Sequence, residues 1–410
     1  MTRLPLLLAA PPLLVVARFL PDEGLGLALR LAAATACVLL PGALVARALR
    51  LPGAAPGFAL ALGILFLALV AVFALQTPIL VALAVLAAAA LAALPFVFRN
   101  WKAGEWAGWG VLALGAALAI PVWRFGAALE GDAIFHLARV RKLAEFDDLS
   151  LDAVAEFADG GPHPGYAFPL WHGFLALVSR LAGVDAADMI LHEAAILVPL
   201  AFLLAYEAGR ALFDSVWGGL AALAGQVAIT ALAPGDAGAY DSLELPATVA
   251  RQLIVPTVVT LFVLFVRKPT WTLIPPLAAA SLALALVHPT YSLFLLGPLA
   301  GFALVRLVWA RADLLRLGGA LASVGIPAAA VFAWLAPIVE DTAGHTPSTD
   351  EVERALERYS RELDVDSLER YSLAPEVFGR SGAVVVAALA AIPLAALAAR
   401  TRWAAYVVGA

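Results

Sequence analysis

Ala167-Phe168-Pro169-Leu170-Trp171-His172-Gly173-Phe174-Leu175-Ala176-Leu177-Val178-Ser179-Arg180-Leu181-Ala182 is the stretch on which the orientation of the rest of the chain turns. It is apolar enough to enter a bilayer, yet it holds only 16 residues and includes a histidine and an arginine. A helix needs about 20 apolar residues to cross the ~30 Å hydrocarbon core. If this stretch crosses, every later segment is inverted. If it does not, the loops on either side of it share one face of the membrane.

The surroundings are those of a membrane protein. Of 410 residues, 63% are hydrophobic and 14% charged, with a mean hydropathy of +0.93. A soluble chain of ordinary composition carries about 25% charged residues, so lipid is the solvent for most of this one. In lipid the backbone must satisfy its own hydrogen bonds, which leaves helices or a closed barrel. Long Ala/Leu runs without period-two alternation argue against the barrel. The expected class is all-α, a single polytopic transmembrane bundle over 1–410. Candidate spans are 4–20, 25–46, 57–75, 79–98, 107–124, 187–209, 216–233, 249–266, 271–287, 290–309, 317–337 and 381–399. A thirteenth begins at Trp403 and is cut off at Ala410, so the chain reads as truncated. The segment 4–20 follows Arg3 but lacks a small-x-small cleavage site, so it counts as a span rather than a signal peptide. The lone Cys37 permits no disulfide within the chain and reads as a small core hydrophobe. No CxxC, HExxH, Walker-type loop or GxGxxG is present to suggest zinc, ATP or a dinucleotide.

Charge decides the ambiguous stretch. With 167–182 left uncrossed and the N-terminus cytoplasmic, the inner connections hold 13 basic residues: Arg3, Arg47, Arg50, Arg99, Lys102, Arg210, Arg267, Lys268, Arg306, Arg311, Arg316, Arg400 and Arg402. Against them stand three acidic ones, Glu105, Asp214 and Asp313. These loops are short, the regime in which the positive-inside rule carries most weight. The stretch is therefore expected to be a re-entrant or interfacial helix. Two long loops, 125–186 and 338–380, then fall on the extracytoplasmic side. In the second, Ser348 and Glu351 form a capping box ahead of an amphipathic helix at 349–363. Lys accounts for three of the 26 basic residues, which suggests a GC-rich bacterial genome and hence a bacterial cytoplasmic membrane.

The first loop carries the chemistry. In Glu130-Gly131-Asp132-Ala133-Ile134-Phe135-His136-Leu137-Ala138-Arg139, a helix of 100° per residue puts His136 at about +40° and Arg139 at about −20° from Asp132. Acid, imidazole and guanidinium share one face, while Arg141 and Glu145 read as solvent-facing. At a helix N-terminus the dipole favours the charged carboxylate, which suits a base or a metal ligand better than a proton donor. Asp147-Asp148 reads as a surface feature at the helix end. Farther on, Arg251 opens a span at its outer end, where a guanidinium must snorkel, pair or meet a lipid phosphate. His288-Pro289-Thr290-Tyr291 makes a tight outer turn. Glu193 lies within a span, where carboxylates are functional candidates. Glu207, one turn before Arg210, reads as an i,i+3 pair.

Gly131-Asp132-x-x-x-His136 followed by an Arg-containing amphipathic helix resembles the first outer loop of the GT-C superfamily of membrane glycosyltransferases. Gly161-Pro162-His163-Pro164-Gly165-Tyr166, leading into Phe168–His172 and Leu177–Gly183, resembles the His-Pro segment and short interfacial helix of many members. His288-Pro289-Thr290-Tyr291 resembles another of their turns. The resemblance covers about 110–400, with 1–106 as a four-span extension before a GT-C-like core at 107–410. It implies a polyprenyl-phosphate or polyprenyl-pyrophosphate sugar donor, Asp132 as catalytic base, and a divalent cation as an optional companion of that carboxylate. Substrate contacts would come from His136, Arg139, His163, Tyr166, Arg251, His288 and Tyr291. Two departures stand out. Five spans precede the Asp loop where better-known members have one, and no Asp-x-Asp, Glu-x-Asp or Asp-Glu pair stands beside Asp132. The expected partners are the lipid-linked donor and membrane lipid, with no nucleic acid. The rival readings are a lipid or polysaccharide transporter or flippase without chemistry, and a cell-surface polysaccharide ligase or polymerase.

Overall fold

The computed structural model describes residues 8–99, 107–125, 129, 132–152, 162–163, 165–231, 242–310 and 314–343. The expected helix at 349–363, the span 381–399, the start of a thirteenth span and nearly all of the loop 338–380 lie outside the described residues. Thirteen helices follow one another among the described residues, and the one β feature there is an isolated antiparallel bridge between Asp152 and Pro162. They are α1 (Ala10–Ala17), α2 (Gly24–Ala48), α3 (Ala55–Leu75), α4 (Val81–Arg99), α5 (Ala107–Phe125), α6 (Asp132–Ala144) and α7 (Leu170–Ala182). After these come α8 (Ala186–Phe213), α9 (Val216–Ala231), α10 (Pro246–Arg267), α11 (Ile274–Val287), α12 (Pro289–Ala310) and α13 (Leu314–Ala343).

Seven of them, α2, α3, α4, α8, α10, α12 and α13, are long and apolar enough to cross a membrane. α5, α7 and α11 contribute shorter apolar stretches. One continuous core runs through the bundle, from Leu31 in α2 to Val324 in α13, so the first spans pack into the same interior as the later ones. Small residues bring backbones together, as expected where van der Waals packing drives helix association. A side chain at Gly42 would stand 2.1 Å from the Ala61 nitrogen, and one at Gly209 would stand 2.3 Å from the Gly218 oxygen.

Contacts at helix ends give the direction of each element. At one end of the bundle, Arg30 near the start of α2 donates to the carbonyls of Gly183, Arg18 and Leu20. There too, Asp147 accepts the Ile79 N–H at 3.1 Å and pairs with Arg180 at 3.2 Å. Trp123, near the end of α5, stacks on His192, near the start of α8, at 4.1 Å. At the opposite end, the Glu207 carboxylate accepts the N–H groups of Ala54 at 2.8 Å and Ala55 at 3.0 Å. A carboxylate on the exposed donors of a helix N-terminus stabilises it by up to about 2 kcal/mol when partly buried. This is the main duty of Glu207, beyond the pairing with Arg210 that its spacing suggests. Arg267 and Asp214 pair at the same end.

These contacts make α2 and α8 run in the same direction. Between them α3, α4 and α5 alternate, so α8 returns to the direction of α2 only if α7 does not cross. The parity that charge suggests thus has an independent geometric counterpart. The helix expected to be re-entrant or interfacial is packed inside the bundle. Every residue from Leu170 to Ser179 is buried. Its one charged side chain, Arg180, lies in the last turn and pairs with Asp147, while the apolar remainder goes into the core. Phe168 packs its ring on Phe66 and Phe73 of α3, and Gly173 lies against Leu69. Gly183, at φ +65°, ends the helix in the left-handed conformation that glycine adopts without steric cost.

The non-crossing of α7 has a direct test. In a Cys37→Ala background, single cysteines at Thr77 and Asp185 should react with a membrane-impermeant maleimide from the same side of sealed vesicles. Cysteines at Arg50 and Asp214 should react only from the other side. Opposite labelling of Thr77 and Asp185 would mean that 170–182 crosses.

Candidate functional site

The helix that begins at Asp132 turns its expected face inward. His136 is 3% and Arg139 4% exposed, whereas Ile134 on the other side is 57% exposed. Arg141 is held at the surface by Glu145, at 3.2 Å, and by Asp185, at 2.9 Å. Lys142 near the C-terminus bonds Ser150 and the Asp152 carbonyl, which fixes the chain as it leaves the helix. The bridge between Asp152 and Pro162 then returns the chain next to His163. The Asp132 side chain itself lies outside the described residues.

Three of the six histidines in the chain meet here. His136 Nδ1 and His172 Nε2 are 2.9 Å apart, a direct imidazole–imidazole hydrogen bond. The Tyr166 ring stands nearly perpendicular to both, with centroids 5.2 and 5.8 Å away. His163 lies 5.0 Å from the Tyr166 ring and 5.4 Å from Phe135. Its Nδ1 accepts the Gly165 N–H at 3.0 Å, so this neutral imidazole carries its proton on Nε2. Its carbonyl accepts the Tyr166 N–H, and the two bonds close a turn that presents the tyrosine. Arg139 Nη2 donates to the Tyr166 carbonyl at 2.8 Å, and its guanidinium carbon lies 5.7 Å from the Phe135 ring centre. Arg139 Nη1 is buried with no hydrogen-bond partner among the described residues.

The electrostatics are one-sided. Burial, the Arg139 cation and His163 bring His136 down to about 3. Burial and the same neighbours hold His172 well below the usual histidine value, and His163 is lowered by burial and Arg139. Burial lowers even Arg139, to about 10. Near neutral pH the cluster is thus one guanidinium among three neutral imidazoles. No carboxylate among the described residues pairs with Arg139. This donor set suits an oxyanion. It does not suit a divalent cation, which Arg139 would repel, and no group of three or more His, Cys, Asp or Glu among the described residues is arranged to hold one.

A second group forms on α10 and the α11–α12 turn. The turn Ala250–Ile254 of α10 is π-helical and carries Arg251. Pro256 explains it, because proline lacks an N–H and its ring crowds the carbonyl four residues earlier, so the ladder shifts register there. Such bulges recur at functional sites. His288 caps α11, and its ring packs on Tyr291 with centroids 4.5 Å apart. Burial lowers the His288 titration, with Arg251 close enough to lower it further. Arg251 Nε and His288 Nδ1 are both buried without a hydrogen-bond partner among the described residues.

The structure therefore gathers His136, Arg139, His163 and Tyr166 into one site and Arg251, His288 and Tyr291 into another. Both lie at the same end of the bundle. Among the described residues no hydrogen bond or ring contact joins the two groups. They are linked through α7, where Trp171, beside His172, donates its indole N–H to the Glu244 carbonyl ahead of α10 at 2.5 Å. Sequence reasoning missed His172 as a site residue. The available signal was a lone imidazole in an otherwise apolar helix two residues after Leu170. Asp147 is also more than a surface residue, since it ties α6 to Ile79 and Arg180. Glu193 is fully buried in α8 and accepts the Thr35 hydroxyl at 2.5 Å.

Histidines held neutral by the native state bind protons more readily once unfolded. Stability without ligand is therefore present above the unfolded value of about 6.5 and lost as pH falls below it. For His136 alone the loss between about pH 7 and pH 5 is roughly 1–2 kcal/mol. The thermal midpoint of the detergent-purified protein should fall across that window, and His136→Gln should shrink the fall. A midpoint equal at both pH values would show that these imidazoles are not held neutral. Comparison of the chain with family models, curated proteins and solved structures returns no match, so its chemistry has to be argued from this cluster itself.

Proposed function

We propose that this chain is a GT-C-type membrane glycosyltransferase that moves a sugar from a polyprenyl-phosphate or polyprenyl-pyrophosphate donor to an acceptor hydroxyl on the extracytoplasmic face. The observation that carries this reading is the Arg139 guanidinium. It is buried and open at Nη1, and it lies two turns along the helix that starts at Asp132. A base and an anion-binding cation on one face are what displacement of a phosphate leaving group requires.

In this mechanism Asp132 takes the proton of the acceptor hydroxyl as its oxygen attacks the anomeric carbon. The bond from that carbon to the phosphate oxygen breaks, and the phosphate leaves with the electron pair. Arg251, with Arg139 or a histidine of the cluster, offsets the charge that develops. His163 offers its Nε2–H, and Tyr166 and Tyr291 supply ring faces. The lipid tail enters between spans. The end of the bundle that holds both groups is the extracytoplasmic one under the twelve-span arrangement, because the other end collects the basic connections.

A carrier or flippase without chemistry is the second reading, and one observation favours it. Glu193 is a fully buried carboxylate inside a membrane-length helix, the kind of group that lines transport pathways. The two readings part on one pair of variants. In proteoliposomes supplied with polyprenyl-linked sugars, Asp132→Asn should lower transfer by at least about a hundredfold, while Glu193→Gln keeps it within a few-fold. Full transfer by a well-folded Asp132→Asn protein removes Asp132 as the base. Loss of lipid translocation in Glu193→Gln, with no transfer by wild type, favours the carrier.

A further inference from the structure

The His136–His172 bond and the open Arg139 edge have a joint consequence. A pair of neutral imidazoles sharing one hydrogen bond has room for one further proton, since the donating ring keeps a lone pair on its other nitrogen. What keeps that proton away is burial first and then the neighbouring guanidinium, which also has a donor at Nη1 without a partner among the described residues. An anion placed on Arg139 cancels the repulsion and gives a protonated imidazole a partner.

We propose that Arg139 and the His136–His172 pair form an oxyanion site that takes up one proton from solvent together with its ligand, a tetrahedral phosphate-type dianion. The inference rests on the transferase reading only for the identity of the natural ligand. The same chemistry belongs to a lipid phosphate head group or to free phosphate.

Among the described residues, Arg139 is the one charged neighbour that bears on the pair. Arg139 and Phe135 lie beside it from α6, and His163 and Tyr166 from the loop before α7. α3 presents Phe66, Leu69 and Phe73, all apolar. Most of the described charges on neighbouring elements are engaged elsewhere. Asp185 and Glu145 hold Arg141, Asp147 holds Arg180, and Asp148 lies 3.7 Å from Lys142. Arg30 of α2 is spread over three carbonyls, and Glu193 of α8 is bonded to Thr35. Asp188 bears on His192 at the start of α8, and Glu244 meets α7 through its carbonyl. The Asp132 side chain is outside the described residues.

The sign of the linkage follows from the free site. Burial and Arg139 hold the imidazoles neutral until the anion arrives and raises their proton affinity. Anion affinity must then rise as pH falls, by up to about tenfold per pH unit for one coupled proton. Two probes serve. Sulfate is a dianion that does not itself titrate between about pH 5 and 8, and farnesyl phosphate carries the same head-group chemistry on a lipid tail.

Calorimetry of the purified full chain, in two buffers of different ionisation heat, counts the protons directly on wild type. The expected result is uptake of about one proton with sulfate and stronger binding at the lower pH. Arg139→Gln should weaken binding at least tenfold. The His136→Gln/His172→Gln protein should bind with no pH slope. Farnesyl phosphate binding far more tightly than sulfate would assign the site to a lipid head group, and comparable binding would assign it to free phosphate. No sulfate binding by wild type, binding without proton uptake, or unchanged binding in Arg139→Gln overturns the proposal. Each of these leaves the Asp132→Asn transfer result standing, so the two ideas fail separately.

Discussion

A short apolar helix that enters the bundle and does not cross it is the constraint on which this protein depends. α7 is buried from Leu170 to Ser179, and its one charged side chain, Arg180, pairs with Asp147 in the last turn. Having entered, it must be held by its neighbours: α3 sets Leu69 against Gly173 and the rings of Phe66 and Phe73 against Phe168, just before the helix. Because α7 begins and ends at the same end of the bundle, the loop before it, the start of α8 and the loop before α10 all meet there. Crossing would have sent α8, and everything after it, the other way. Arg251 and His288 would then stand at the opposite end from His136.

The cost of this arrangement falls on Arg139. Removing a guanidinium from water is expensive unless hydrogen bonds and charge partners replace the solvent. Among the described residues Arg139 has one carbonyl bond and a place over the Phe135 ring, and Nη1 has no hydrogen-bond partner. Three imidazoles nearby could have relieved the strain by accepting hydrogen bonds. Instead two of them bond each other, and the third spends its acceptor nitrogen on Gly165. Among the described residues no carboxylate stands against Arg139 as Asp147 stands against Arg180. Buried groups left short of partners concentrate where a ligand completes them.

Much of this was legible in the sequence where the physics is local. Hydropathy and length locate the helices, since each must satisfy its own backbone in lipid. The 100° periodicity from Asp132 puts His136 and Arg139 on a common face, and both are buried while Arg141 and Glu145 stay at the surface. What depends on chain-distant partners was not legible. His172 meets His136 across 36 residues through the fold of a loop, and no spacing rule connects them. Glu207 has a local partner in sequence at Arg210, yet its carboxylate sits on the N-terminus of α3, 152 and 153 residues away. Local pairs are visible as patterns, whereas a helix end that needs a carboxylate can draw it from any element packed nearby.

The two polar groups make different demands on the same short helix. His172 on α7 completes the Arg139 cluster, and the adjacent Trp171 reaches the Glu244 carbonyl, which precedes the π-turn bearing Arg251. Adjacent residues on a helix point about 100° apart, so one turn of α7 addresses both groups at once. The first turn of α7 is therefore shared: His172 is held in the Arg139 cluster while Trp171 anchors the lead into α10. The π-turn that follows carries Arg251, where Pro256 removes a donor from the ladder and shifts its register. The two groups thus owe their placement at one end of the bundle to the same buried turn.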